Sequence, residues 1–452
     1  MKKPCCFILI SCLLLMLGCG VREKQYYAPP DVIPNTHRGM QSPGFWIKRH
    51  PFADRIILDS AGIALFNSKI ENELKLTENI TRIGPSYPGK ELALSLAEEI
   101  TSLSKQKLYN RDAKRIGKKF YRRIKEQMNF EAIPDRINVR YGFICYYADQ
   151  RILPTEEILT QEPADIAFDQ LQNSSLDIGV PLAILHESRD GVWAYAHTPA
   201  SSGWTKKERI AFCSIDEFKS FGGAKPFVVV TSDKTGIFLD PALTQHFDYV
   251  RMGSRFSFNG NINSEAIKIF IPFQGKEGKF VNQPAYVKKE DVNEGYLPYT
   301  PRHIIQQAFK FLDTPYGWGG KDGKLDCSSF LQAIFATTGI ILPRNSSAQG
   351  EVGERLGIFT EKSGNGLKLS ILHKQAIGGV TVLQLKGHIL LYLGMYAGSP
   401  YVIHETHGYR EKVWRGDIVR ALNRVVVSDL SLGKGSQKNS LLKRIISIRN
   451  IN

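Results

Sequence analysis

The sequence predicts a multidomain protein with a helical N-terminal region, two small β-barrels and a C-terminal α+β domain. Three observations carry this prediction. At 452 residues the chain is too long for one core. Its apolar periodicity is helical over about 50–130, alternating after Pro134, and different again from Thr300. With 42% hydrophobic and 23% charged residues, it has the composition of a folded chain.

The N-terminus, MKKPCCFILISCLLLMLGCG, places Lys2 and Lys3 before an apolar run that reaches Leu17 and ends in small residues. A charged start and a short apolar stretch predict an export signal over 1–19, not a membrane span. Leu15-Met16-Leu17-Gly18-Cys19 resembles a bacterial lipoprotein box, with Met16 where Leu is usual. It makes Cys19 the expected lipid attachment, and so a membrane contact, with plain secretion the alternative. Two or three acyl chains on one cysteine suffice for stable anchoring. Residues 20–45 are rich in Pro, Gly and polar groups and read as a linker. The net charge of +15 suits an anionic neighbourhood such as a bacterial cell envelope. No dense Arg/Lys cluster is interleaved with aromatics, so nucleic acid is not an expected partner.

Residues 46–134 read as helical, with Leu92, Leu96 and Ile100 on one face. From 135 to 220, short strands such as INVRYGFICYYAD, PLAILHES and GWTKKERIAFCS are separated by Asp-Gly and Ser-Gly turns, the pattern of a first barrel. FVVVTSD, RFSFNG and IKIFIPF predict a second over 221–295. Both resemble bacterial SH3-like barrels, the first through Trp193, Gly203 and Trp204. The C-terminal domain, 296–452, begins with a helix that has Thr300 as N-cap and Pro301 in its first turn. After the loop PYGWGGKDGKL a second helix, CSSFLQAIFATTG, precedes strands at GGVTVLQL, GHILLYLGMY and YVIHETHG. The tail, SDLSLGKGSQKNSLLKRIISIRN, reads as a short basic helix.

Of seven cysteines, four fall at or before Cys19, which leaves Cys145, Cys213 and Cys327. An odd number in an exported protein leaves at least one thiol free. Cys145 and Cys213 sit in strand-like apolar runs and read as core residues or a disulfide pair. With no C-x-x-C spacing, a zinc site is not expected. Cys327 falls at the first turn of a helix, where the dipole and free N–H groups favour a thiolate. His388 heads one apolar strand and His404 lies on the next, so hairpin pairing would bring them together. A cysteine facing two histidines makes a nucleophile, a base and an orienting group. A two-His metal site is the rival, but no carboxylate stands at a suitable spacing. His407 reads as solvent-facing, and His246, His303 and His373 as surface residues.

PYGWGG (315–320), DCSSF (326–330), LPRNSSAQG (342–350), GHILLYLG (387–394) and VIHET (402–406) occur in one order along the domain. In that order they resemble the NlpC-type cell-wall peptidases, a papain-like α+β cysteine peptidase family. The upstream barrels and helical piece, an N-terminal clip domain, resemble one architecture of this family. The resemblance implies Cys327 as nucleophile, His388 as general base and His404 as the group orienting its imidazole. It implies Asp326 and Ser328 beside the nucleophile, Tyr316 and Trp318 as an aromatic wall, and Ser346 as a substrate contact. Asp326 would suit a ligand's amine and the hydroxyls its carboxylate. In this architecture the first barrel closes one end of the groove, with Glu187 or a nearby aromatic as the contributing group.

The implied reaction is hydrolysis of the γ-D-Glu to diamino-acid bond (diaminopimelate or Lys) in peptidoglycan stem peptides or muropeptides, favouring a free N-terminal L-Ala. No cofactor is needed. Ser329 departs from the family's usual Gly, and the His388–His404 gap is longer than usual. An N-acetylmuramoyl-L-alanine amidase and a non-catalytic cell-wall-binding protein are the alternatives.

Overall fold

The computed structural model describes residues 26–262, 265–360 and 362–452. The signal segment and Cys19 lie outside the described residues. Among those described, no helix is long and apolar enough to cross a membrane.

Three seven-stranded sheets organise the chain. The first runs from Arg140–Ile144 to Ile210–Cys213, with the Trp193–His197 and Ser202–Lys206 strands paired in its middle. Trp204 and Tyr195 are its largest buried side chains. The second spans Phe227–Val230 to Val292–Glu294 around Val228, Ile237, Phe256 and Ile269. The third is the sheet of the C-terminal domain. Its strand order is Tyr26–Tyr27, Gly416–Asp429, Ser399–Val413, His388–Tyr396, Thr381–Leu385, Ile445–Asn450, Glu354–Ile358. The helices Pro301–Lys310 and Cys327–Ala336 pack on one of its faces through Ile304, Phe330 and Ile334.

The N-terminal region has no core of its own. Met40, Trp46, Phe66 and Ile70 share a core with Phe330, Phe335 and Ile403 of the C-terminal domain. Leu92, Leu96, Ile100, Phe120 and Ile124 instead share one with Tyr141, Leu185, Trp193 and Trp204 of the first barrel. Each helix presents one apolar stripe, as the periodicity predicts, and each finds a different partner surface. The expected linker is also partly structured. Tyr26–Tyr27 adds a parallel edge strand beside Val419 and Arg420, Ile33 and Met40 are buried, and Tyr401 donates its hydroxyl to the Asn35 carbonyl at 2.7 Å. Strand pairing, two buried apolar side chains and this hydrogen bond together dock it.

The tail departs from its predicted form. Only Leu441–Arg444 is helical, and Ile445–Asn450 is an inner strand of the third sheet. Its β-branched run IISI is short enough to pass for the end of a helix. Likewise the His404 strand runs on to Val413 and pairs with Gly416–Asp429 in a long hairpin. Cys145 and Cys213 are free thiols, not a disulfide. Cys145 is buried and Cys213 half-buried.

The PYGWGG loop lies against the first barrel. Gly319 and Gly320 have φ of +63° and +79°. A Cβ on Gly320 would meet Ser175 Oγ at 2.1 Å, and one on Gly319 would meet Gln172 at 2.5 Å. Tyr147 clasps the same loop, donating to the Gly320 carbonyl and accepting from Gly323 N–H, both at 3.0 Å. Both glycines are therefore required by close approach as well as by φ. Gly320→Ala should destabilise the chain by about 1–3 kcal/mol and loosen this contact. Thermal unfolding of the variant checks it, and an unchanged transition would contradict the packing described.

Candidate active site

Cys327 is the first residue of its helix, and Asp326 is the cap. Asp326 Oδ1 accepts from the N–H groups of Ser328 and Ser329 at 3.2 and 2.9 Å. Ser329 Oγ accepts from Asp326 N–H at 2.8 Å, completing a capping box. The serine that departs from the family's glycine thus has a local task. Asp326 Oδ2 accepts from Arg344 Nη2 at 2.7 Å and from Gly319 N–H at 3.1 Å. Arg344 also donates from Nη1 to Ser328 Oγ at 2.9 Å and from Nε to Ser174 Oγ of the first barrel at 3.0 Å.

The Asp326 carboxylate lines the cleft and is at the same time held by Arg344 and the helix start. Burial alone would raise its pKa, but Arg344 and the serine donors outweigh that and hold it near 2. Arg344 sits in the LPRNSS stretch, two residues before Ser346, and has no local signature that marks it as the partner of Asp326.

His388 and His404 meet as the hairpin predicts. Leu391 lies opposite Ile403, which puts both histidines on the same face one pleat apart. His388 Nε2 and His404 Nδ1 are 2.9 Å apart, and His404 Nε2 is 3.1 Å from Ser428 Oγ. For His388 Nδ1 to accept a proton, Nε2 must donate to His404, and His404 Nε2–H in turn to Ser428. Ser428, on the next strand, completes a relay with no sequence signature of its own.

Cys327 and both histidines line one cleft of about 1200 Å³, along with Tyr316, Trp318, Asp326, Ser328 and Ser346. Cys327 is 8% exposed, and its sulfur lies within hydrogen-bonding reach of the backbone of Ile389, next to His388. Burial pushes the thiol up to about 12, with Asp326 adding to the shift and Ile389 and Arg344 opposing it. Burial, then Arg444, pushes His388 down to about 3 against an opposing pull from Asp326. His404 is lowered well below the usual range by burial, then by His388 and Arg444. Desolvation therefore overrides the helix dipole, and the resting pair is a neutral thiol beside a neutral imidazole. Glu405, next to His404, is fully buried with neither oxygen partnered. Burial and then Asp326 raise it to about 10, so it is protonated at neutral pH.

The aromatic wall has more members than expected. Phe168, from a loop of the first barrel, contacts Trp318 at 5.4 Å and His407 at 4.7 Å between ring centroids. His407 is half-buried in this wall with Tyr26 at 4.9 Å and is not solvent-facing. His303 is also half-buried, with Nδ1 2.9 Å from Thr300 Oγ, while His246 and His373 are exposed. Glu187 is not at the cleft. It pairs with Lys207 at 2.6 Å and with Arg140. The carboxylates that line it besides Asp326 are Glu98, Glu99, Glu162 and Asp165. Among the described residues, no group of three or more His, Cys, Asp or Glu is placed to hold a metal ion.

Comparison with known proteins places this site. Residues 313–422 match the NlpC/P60 family, and residues 159–206 match an SH3 domain of the SH3b1 type. The C-terminal domain is an NlpC/P60 cysteine-peptidase domain. The chain is 26% identical over 174 residues to a γ-D-glutamyl-L-lysine dipeptidyl-peptidase of Bacillus subtilis, covering 36% of this chain and 55% of that one. It is 24% identical over 256 residues to the protein of that name from Bacillus cereus, covering 54% and 69%. In fold it resembles an NlpC/P60 endopeptidase from Photobacterium damselae subsp. piscicida, with TM-score 0.71 and 18% identity over 94% of this chain and 99% of that one. That likeness extends the shared fold well beyond the NlpC/P60 domain itself.

Two outcomes follow for this NlpC/P60 domain. Asp326→Asn should cost about 3–5 kcal/mol, because it leaves Arg344 buried without its counter-charge. The depressed carboxylate makes the native pair's contribution, about 2 kcal/mol, fully present above the unfolded pKa of 3.8 and lost as pH falls through about 2. Denaturant unfolding of both proteins across pH 2–6 reads both effects, and a flat difference between them would contradict the pairing. Second, with a neutral resting pair, the acid limb of kcat/KM should lie well below the ordinary histidine value of 6.5. A limb at or above 6.5 in the pH–rate profile would indicate a resting thiolate–imidazolium pair.

Proposed function

We propose that this protein is a cysteine endopeptidase that hydrolyses the γ-D-Glu to diamino-acid bond of peptidoglycan stem peptides and favours a free N-terminal L-Ala. The observation that carries this reading is the shared cleft. Cys327, on a capped helix, lies beside His388, which His404 and Ser428 orient, and the NlpC/P60 domain supplies all four. Two relatives bear the name γ-D-glutamyl-L-lysine dipeptidyl-peptidase, which points to the bond. The chain spans about half of the first and about two-thirds of the second.

In the reaction, His388 Nδ1 takes the thiol proton as the sulfur bonds to the γ-carbonyl carbon. The Cys327 N–H, at the first helical position with no intrahelical acceptor, faces the developing oxyanion. The C–N bond then breaks and the imidazolium returns its proton to the leaving amine. Water next attacks the thioester, passing a proton through His388 to the sulfur and releasing the γ-carboxyl. Ser328 and Ser346 offer hydroxyls to the substrate, and Tyr316 and Trp318 wall the groove.

Glu99 supports the free-amine preference. It lines the cleft from the helix Gly89–Ser104. Tyr195 donates to its Oε1 at 3.2 Å, while Oε2 is buried without a partner. Burial raises it to about 7 despite that hydrogen bond, so an ammonium group arriving there would be welcomed electrostatically. A basic, exported chain, lipid-anchored at Cys19 or freely secreted into the envelope, agrees with a wall substrate.

Mass spectrometry of L-Ala-γ-D-Glu-diaminopimelate peptides, with free and with acetylated N-termini, tests both parts. Cys327-dependent release of L-Ala-D-Glu is expected from the free form, and none from any peptide with Cys327→Ala. Equal cleavage of the acetylated form would remove the amine preference. Release of intact peptide from muropeptides would favour the amidase.

A further inference from the structure

Among the charged groups at the cleft that the catalytic reading leaves without a task, Arg444 acts on both histidines. Arg444 ends the short helix Leu441–Arg444 and lines the cleft together with His388 and His404. It is half-buried, and among the described residues its guanidinium has neither a carboxylate within salt-bridge distance nor a side-chain hydrogen bond. Its charge disfavours the protonated form of both imidazoles. A cation held half out of water with no counter-ion, beside a base that must accept a proton, costs stability and opposes catalysis. Such a group makes sense when something anionic arrives with the substrate.

Three further points identify the anion. A guanidinium presents a planar fork of donors that matches a carboxylate in bidentate fashion. Apart from the Asp326–Arg344 pair, the charges around the cleft are divided by origin. Glu98 and Glu99 come from the N-terminal helix and Glu162 and Asp165 from the first barrel, whereas Arg410, Lys438 and Arg444 come from the C-terminal domain. Finally, His388 must hand its proton to the leaving amine, so the leaving amino acid lies against His388, and Arg444 is the cation acting on that ring. Diaminopimelate differs from lysine at this place by a side-chain carboxylate.

We propose that Arg444 binds a side-chain carboxylate on the leaving diamino acid and so selects a dicarboxylic diamino acid, such as diaminopimelate, over lysine. The proposal rests on the endopeptidase reading above. The Lys-peptidase relatives would then differ from this chain at the leaving-group side of the cleft. Carboxylate binding also neutralises a charge that, after burial, opposes protonation of His388, so the matching substrate makes its own base more effective.

The test uses L-Ala-γ-D-Glu-X peptides whose α-carboxyl is amidated, with X either diaminopimelate or lysine, so that only the side-chain carboxylate differs. Binding is measured by calorimetry on the mature chain carrying Cys327→Ala, then on the same chain with Arg444→Gln or Arg444→Lys added. The diaminopimelate peptide should bind about ten-fold tighter or more, Arg444→Gln should bring the ratio to within about two-fold, and Arg444→Lys should keep part of it. A ratio near one before substitution, or equal weakening of both peptides by Arg444→Gln and Arg444→Lys, overturns the proposal. Cleavage of the same peptides by the chain with Cys327 intact separates the two readings. Selective binding without cleavage would sink the endopeptidase and leave the carboxylate site standing. Cleavage of both peptides with no binding preference would do the reverse.

Discussion

The Asp326–Arg344 ion pair is the constraint on which the active site depends. One carboxylate caps the nucleophile helix, holds the PYGWGG loop through Gly319 N–H, and neutralises an arginine that reaches across to Ser174 of the first barrel. Buried charge pairs are weak contributors to net stability but strict about geometry. Here the geometry fixes three things at once: the start of the helix carrying Cys327, the loop carrying Tyr316 and Trp318, and the docking of the barrel. The carboxylate that lines the cleft also assembles it.

The same desolvation that makes this pair strict sets the state of the nucleophile. A helix N-terminus stabilises a thiolate in a polar setting, but Cys327 is buried with Asp326 close by, and both effects favour the neutral thiol. His388 is driven the same way by burial and by Arg444. In the proposed reaction, proton transfer then accompanies attack on the substrate, and the orientation of His388 by His404 and Ser428 matters more than any resting charge on it.

The cleft is assembled from four parts of the chain. The NlpC/P60 domain brings the reacting groups, the first barrel brings Phe168 and the contacts that hold the glycine loop, and the helix Gly89–Ser104 brings Glu99. The N-terminal segment adds Tyr26, whose hydroxyl donates to Asp165 at 3.1 Å.

Local chemistry was legible in the sequence. The Thr300 and Asp326 caps, the apolar stripes of Leu92, Leu96 and Ile100 and of Phe330 and Ile334, and the hairpin that joins His388 to His404 all follow from spacing and residue type within a few turns of chain. What depended on distant partners was not legible. Arg344, Ser428, Phe168 and Arg444 stand tens to hundreds of residues from the groups they act on, or carry no motif. Glu187 looked suited to the groove until the fold paired it with Arg140 and Lys207, and His407 looked exposed until Tyr26 and Phe168 closed around it. The direction in which Cys327 titrates was also beyond the sequence, because a helix dipole is a local property and desolvation belongs to the whole packed surroundings. By itself the sequence determined which residues could do the chemistry. The tertiary structure decided which carboxylates and cations are already spent on one another and which remain for a substrate, because burial and pairing are set by neighbours that chain order does not reveal.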